Sequence, residues 1–218
     1  MDNEQRTTIE TATDAPTPSA GPCLRFEMPA GALAALLLIA PKQEVRYYLR
    51  GVMVDTTGKT PVAVATDGRR MLAVRLSGLP DDAPRGCFIF PREMLASVKP
   101  AKLGKHAQPF ELRMSGTECS IRGATTATGT MVDGRFPDWR RVVPEKVSGV
   151  VSQYSSDYLG DFSHVARLLA GSNAPHAVIS HNGDGAAHVN FPANPEAFGV
   201  LMPMRTDAPV MIRPDWIG

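Results

Sequence analysis

The sequence has almost no net charge, no paired cysteines and no long apolar run, and each absence removes a class of protein. Lys and Arg together number 23 against 22 Asp and Glu. A chain that grips a polyanion through bulk charge carries a far larger basic excess, so any such contact must come from local placement of basic residues. Cys23, Cys87 and Cys119 form an odd set without CxxC spacing. That argues against a disulfide framework or a zinc site and fits a reducing cytoplasm. The longest apolar run, Ala32 to Ala40, sits between Pro29 and Pro41. It falls far short of the roughly 18–20 residues that span a bilayer and reads as a short buried helix. Residues 1–22 are polar, rich in Thr and Pro and without aromatics. They bury too little to offset ordering entropy and read as a disordered tail, and they lack the basic start and apolar middle of a signal peptide.

Catalytic signals are missing as well. Gly58-Lys59-Thr60 resembles the end of a phosphate-binding loop, but position 53 is Met where a glycine is required. The segment also falls in a hairpin turn instead of between a strand and a helix. His176, His181 and His188 fit no common metal spacing, and Asn182-Gly183 between them is turn chemistry. No serine lies in a nucleophile elbow and no cysteine has an evident His partner. The chain reads as a non-enzymatic protein with no cofactor and no metal.

What the sequence does contain is a repeated order of elements. Leu24 to Met28 alternates apolar and polar as a half-buried strand does, and Pro29 opens an Ala/Leu-rich helix that ends by Pro41. Three strands follow, at Tyr47–Asp55, Pro61–Ala65 and Met71–Leu76, with Thr56-Thr57-Gly58 and Asp67-Gly68 as turns. A second unit has a strand at Gly86–Phe90, a helix from Pro91 to about Lys102, and strands at Pro109–Met114, Glu118–Ala124 and Thr126–Val132. The third has a strand at Gly149–Tyr154 and a helix from about Ser156 to Leu169, capped by Ser155 or Ser156 and ended by Gly171. Its strands run Ala177–Ser180, Ala186–Asn190 and Ala197–Met202, with Asn182-Gly183 as a hairpin turn. The predicted fold is α+β: repeated β-α-β-β-β units forming antiparallel sheet with helices on one face, and neighbouring units must pack because one alone cannot bury its helix.

Four segments carry a resemblance. They are Gln43–Gly51, Val64-Ala-Thr-Asp-Gly-Arg-Arg70, Asp133-Gly-Arg-Phe-Pro-Asp-Trp-Arg-Arg-Val-Val-Pro144 and Val200-Leu-Met-Pro-Met-Arg205. In order and spacing they resemble the bacterial DNA polymerase III beta subunit, the sliding-clamp family. The resemblance covers about Leu24 to Arg205 and implies the DNA-clamp fold, with sheet outside and helices lining the inner bore of a ring. Family chains carry six such units and this one carries three. Residues 23–143 resemble a complete clamp domain with a linker at 133–147, and residues 148–205 resemble half of another; residues 206–218 form a tail where the family typically stops. A family ring closes with twelve units, so the resemblance implies a homotetramer, with unit three pairing across a two-fold axis with its copy. Arg69 stands where the family has His, and Met71 looks inserted before Leu72.

Sliding requires sequence-independent phosphate contacts. The second helix and its exit offer Arg92, Lys99, Lys102 and Lys105 with one intervening acid, Glu93; the bland reading is an ordinary solvated helix face. The resemblance adds Gln43, Arg46, Tyr47 and Tyr48, which would reach phosphates or stack on a base, one tyrosine being expected to pack under its loop. It also implies an apolar groove for short linear motifs of polymerases and clamp-loader-type proteins. The matching positions are Leu49, Thr66, Gly68, Arg70, Leu72, Pro137, Arg141, Val142, Val200, Met202, Pro203 and Met204. Met suits a groove that accepts several ligands, and Arg70 and Arg141 would hold ligand carbonyls or carboxylates. The alternative use of the same residues is as interface core. The function implied is a processivity factor that encircles double-stranded DNA in the cytoplasm, without contact to a membrane. A non-encircling module that binds clamp partners is the rival reading.

Overall fold

Three successive units build the molecule, and the strands they exchange decide its shape. The computed structural model describes residues 8–10, 24–77, 83–100, 107–170, 175–205 and 216. A short strand β1 (Thr8–Glu10) comes first. Unit one follows with β2 (Leu24–Met28), α1 (Ala30–Ile39), β3 (Gly51–Asp55), β4 (Val62–Thr66) and β5 (Arg70–Arg75). Unit two contains β6 (Cys87–Pro91), α2 (Arg92–Ser97), β7 (Phe110–Ser115), β8 (Glu118–Arg122) and β9 (Thr126–Thr130). Unit three contributes α3 (Ser156–Ala170), β10 (Val178–Ser180), β11 (Ala187–Asn190) and β12 (Ala197–Leu201).

Every pairing is antiparallel. One sheet runs β1-β9-β8-β7-β2 and the other β10-β11-β12-β5-β4-β3-β6. Units one and two swap their first strands: β2 pairs with β7 of unit two, and β6 pairs with β3 of unit one. Unit three joins differently. Its last strand continues unit one's sheet, with Ala197 opposite Val74 and Leu201 opposite Arg70.

Burial follows from this topology. In β2 the residues alternate buried and exposed, as the predicted period of two requires. In β3 all five residues are buried, because the seven-stranded sheet is covered on both faces. Helices α1, α2 and α3 lie on one face, over a core that includes Phe26, Leu36, Leu72, Phe90 and Phe162. The linker covers the other, placing Phe136 and Trp139 over Leu49, Met53, Val64, Met71 and Val200. Two glycines permit the close approaches that hold unit three in place. A Cβ on Gly31 would lie 2.1 Å from the Leu168 carbonyl oxygen, so α1 and α3 meet backbone to side chain-free backbone. A Cβ on Gly199 would lie 2.5 Å from the Phe162 ring, which seats α3 directly on β12.

Four expectations need correction. Thr8–Glu10 lies in the stretch read as a disordered tail, yet it pairs with Thr126–Thr128 of β9; a backbone ladder needs no apolar side chains, which is why composition missed it. The rest of residues 1–22, Cys23, Gly171 and all of the 206–218 tail except Trp216 lie outside the described residues. Tyr47–Leu49 forms a 3-10 turn, and the strand begins at Gly51. Helix α2 stops at Ser97 instead of near Lys102: Val98 is already extended, and Pro100 disfavours a helical Lys99. Finally, Gly149–Tyr154 joins no sheet among the described residues. Its backbone instead meets the β10–β11 turn, Gly149 N–H donating to the His181 carbonyl at 3.0 Å and Gly183 N–H to the Val150 carbonyl at 2.8 Å. Among the described residues, no helix is long and apolar enough to cross a membrane.

Candidate peptide groove and nucleic-acid interface

The face covered by the linker carries the first candidate site, where units one and three meet. Met71 of β5 stands opposite Val200 of β12, and Met202 N–H donates to the Arg69 carbonyl at 2.9 Å. Leu49, Met71 and Val200 are at most 2% exposed and share one apolar cluster. Val200, Met202 and Met204 have the same strand parity, so the buried floor leads to exposed methionines at its rim. Met202 is 42% and Met204 51% exposed, and Val142 at the linker's 3-10 turn is 47% exposed. Exposed Pro137 and Arg141 flank it, and Pro203 is half-buried.

A latch fixes the linker that forms one wall. Asp55, at the end of an apolar strand, is 1% exposed. Its carboxylate accepts from Trp139 Nε1 at 2.8 Å, from the Thr57 amide at 2.9 Å and from the Thr57 hydroxyl at 2.6 Å. Arg140 also donates to it while lying over the Trp139 ring, its guanidinium carbon 4.4 Å from the centroid. Burial pushes the Asp55 carboxyl upward, but the donors from Thr57, Trp139 and Arg140 outweigh it and hold the group below the usual carboxylate range. Sequence reading did not single out this latch. Its one visible signal was an acid closing the otherwise apolar strand Gly51–Asp55.

Two groove residues behave differently from expectation. Leu72 is fully buried in the helix-side core, so it cannot line the groove. The strand carries no bulge there: Thr66 pairs with Met71 and Ala65 with Leu72 in unbroken register. The period of two therefore puts Met71 on the groove face. Arg70 has its guanidinium engaged already. It donates to Asp67 at 3.0 Å, contacts Asp161 of α3, and lies 4.4 Å from the Tyr158 ring centroid. It ties unit three to the turn at Asp67, where Thr66 Oγ1 donates to the Arg70 carbonyl at 2.8 Å and accepts from the Gly68 amide at 3.0 Å. Arg141 makes no ion pair among the described residues and remains the groove's available cation.

The second candidate surface is the loop before β3. Arg46 donates to both carboxylate oxygens of Glu44, at 2.9 and 3.1 Å, and to the Asp67 carbonyl at 3.2 Å. The hydrogen bonds from Arg46 pull the Glu44 carboxyl down to about 2. An exposed guanidinium is thereby held in one direction while a donor edge faces solvent. Gln43 is exposed. Tyr47 is 56% exposed, whereas Tyr48 is half-buried against the linker-side core, so one tyrosine of the pair packs under the loop. Their rings meet edge to face with centroids 5.7 Å apart.

The basic helix exit is sparser than its sequence. Arg92 donates to the Leu37 carbonyl at 3.0 Å and the Ala40 carbonyl at 3.2 Å, satisfying the end of α1. Lys99 is exposed, and Lys102 and Lys105 lie outside the described residues. The histidines are separately occupied: His188 stacks on Phe198 with centroids 5.2 Å apart, and His181 accepts the Ser152 amide at 3.3 Å. No group of three or more metal-binding side chains gathers among the described residues.

Residues 31–138 match the family model of the DNA polymerase III beta subunit, central domain. The beta sliding clamp of Vibrio cholerae is 37% identical over 128 residues, which is 58% of this chain and 34% of that protein. The chain thus matches only about a third of the length of this relative. Among solved structures, a sliding clamp from Bartonella birtlesii bound to griselimycin superposes with a TM-score of 0.63 at 21% identity, covering 89% of this chain and 70% of that one. The Helicobacter pylori beta clamp bound to a DNA ligase peptide gives 0.61 at 13% identity, covering 88% and 68%.

Proposed function

Since the chain is a member of the DNA polymerase III beta subunit family, with residues 31–138 matching that family's central domain, we propose that it is a sliding clamp. In this reading it encircles duplex DNA and tethers replication or repair proteins through the groove between units one and three. The observation that carries the reading is a composite apolar patch where units one and three meet. Its floor comes from β5 and β12, its wall from a linker latched by Asp55, and its rim from exposed Val142, Met202 and Met204. A buried floor with adaptable methionines at the edge suits short apolar motifs of several partners. The structural neighbour solved with a DNA ligase peptide supports a linear-motif ligand of this kind.

Domain boundaries follow the units: residues 23–143 as a complete clamp domain and 148–205 as half of a second. Four copies of the three-unit chain supply the twelve units of a family-sized ring, a mass of 4 × 23.4, about 94 kDa. The ring acts without covalent chemistry, in the cytoplasm, by topology. DNA contact falls to sequence-independent donors, among them Arg46, Tyr47, Gln43 and Lys99. The test is retention on DNA. Protein assembled on nicked circular duplex should co-elute with it at high salt and be lost when the circle is cut, and equal loss from both forms would refute encirclement. For the groove, V142D/M202D should weaken a fluorescent clamp-binding peptide by at least about tenfold, roughly 1.4 kcal/mol, without lowering the melting temperature. Unchanged peptide affinity would remove the groove from the reading.

A further inference from the structure

In each unit the first strand meets a residue two or three positions past the last strand, at the same distance from the helix. Glu27, three residues before α1 begins at Ala30, bridges to Ser77. Ile89, three before α2 at Arg92, accepts from the Val132 amide at 2.9 Å. Gln153, three before α3 at Ser156, accepts from the Met204 amide at 2.8 Å. Gly149–Tyr154 therefore occupies a first strand's place, although it joins no sheet.

What it lacks is the partner that the other first strands have. Units one and two each give their first strand to the other's second strand. Unit three has no reciprocal unit among the described residues. Its second strand, β10, is an edge strand that pairs only with β11 among the described residues. Both halves of the missing exchange are apolar and uncovered: Val150 is 60%, Val151 78% and Val178 44% exposed. Val151 makes no backbone hydrogen bond among the described residues. The neighbouring Tyr154 hydroxyl is buried without a partner there as well, which disfavours the single chain as it stands. An extended segment with outward valines beside an open edge is a template for strand pairing.

We propose that two copies of this chain exchange these strands. Val150–Tyr154 of each protomer adds antiparallel to β10 of the other, and the two copies of unit three complete a two-unit domain across a two-fold axis. The register parity of β2 on β7 and β6 on β3 carries over. Residues an odd number before the helix face outward in both, so Val151 lies on the same outer face as Val178 of the partner subunit. A second copy is favoured over an unrelated peptide because the swap is reciprocal: one unit three presents both the strand that is given and the edge that receives it. The proposal rests on the three-unit clamp reading but not on encirclement of DNA.

Light scattering on a sizing column tests it with the full chain. The wild type should elute as an even multiple of 23.4 kDa. V151D/V178D sets like charges face to face across the exchange and should halve that mass, while V151K/V178D should restore it. Far-UV circular dichroism should stay at the wild-type value in both variants, since both valines are exposed within the single chain. A monomeric wild type, an undiminished mass in V151D/V178D, or equal dissociation of V151K/V178D would each overturn the exchange. The circular-DNA assay separates this from the clamp reading. An exchanged dimer or tetramer that is not retained on circles leaves the exchange standing and sinks encirclement. Retention on circles with a mass insensitive to V151D/V178D does the reverse.

Discussion

The pair formed by units one and two differs sharply from unit three, although the three share one element order. In the pair, β2 and β6 cross over to the opposite unit, so each first strand closes the other's sheet edge. In unit three the equivalent segment joins no sheet among the described residues. Its backbone bonds to the backbone of His181, Gly183 and Met204 of its own unit, and Val150 and Val151 face solvent. Stability within a repeat of this kind is a property of neighbours. Unit three leans on unit one through β12 and α3, while its other side is left open. The same sequence pattern thus yields a finished domain or an interface, depending only on whether a reciprocal unit stands next to it.

The largest way to break this contrast is to cut unit three from unit one. Phe162 is 1% exposed and sits against Gly199. F162A should cost about 3–5 kcal/mol and should free residues 148–205 for limited proteolysis before residues 24–143, read by mass spectrometry of the fragments. Uniform cleavage across both regions would show that the chain unfolds as one cooperative body.

A smaller effect should come from the latch. D55N keeps the shape but loses the charge that Arg140 and Trp139 address, with an expected loss of about 1–3 kcal/mol at neutral pH. Because the folded carboxyl is depressed, its stabilising contribution is present above the unfolded value of about 3.9 and is lost as pH falls through the folded value. Urea midpoints between pH 7 and pH 3 should therefore decline less steeply in D55N than in the wild type. Glu111 works in the same direction. Burial raises its carboxyl, but the hydrogen bonds and charges of Arg113 and Arg122 hold it lower, so some acid sensitivity should persist in D55N. The smallest expected effect is R46A. This substitution on an exposed loop should leave the melting temperature alone and reduce the salt dependence of DNA binding by about one charge.

Most of the fold was legible because its signals are local. Alternation in Leu24–Met28, Pro29 before α1 and Asn182-Gly183 between β10 and β11 each act within a few residues. The surroundings of the linker-side apolar cluster were legible in part: Leu49, Val200, Met202 and Val142 came from matched motifs. Leu72 was misplaced because one residue of apparent insertion flips a strand's face, and only pairing register shows that Met71 and Leu72 run on without a bulge. The Asp55–Trp139 latch joins residues 84 apart, and no local pattern announces it. Arg92 looks identical to a DNA-facing arginine in sequence, yet the exposed carbonyls at the end of α1 claim its donors. The strand expected at Gly149–Tyr154 is not formed: its composition suits a strand, but no ladder partner stands beside it among the described residues, and pairing is not written in local composition.

The seven-stranded sheet has one more consequence. Hydrogen bonds run without a break from β6 through β5 and β12 to β10, and the α1–α3 contact at Gly31 leaves no slack behind them. Strands of all three units are thus joined in one hydrogen-bonded sheet. If copies of such a chain close around DNA, the gate through which the duplex enters falls at a seam between copies, and the strength of that seam would set how long the ring stays shut.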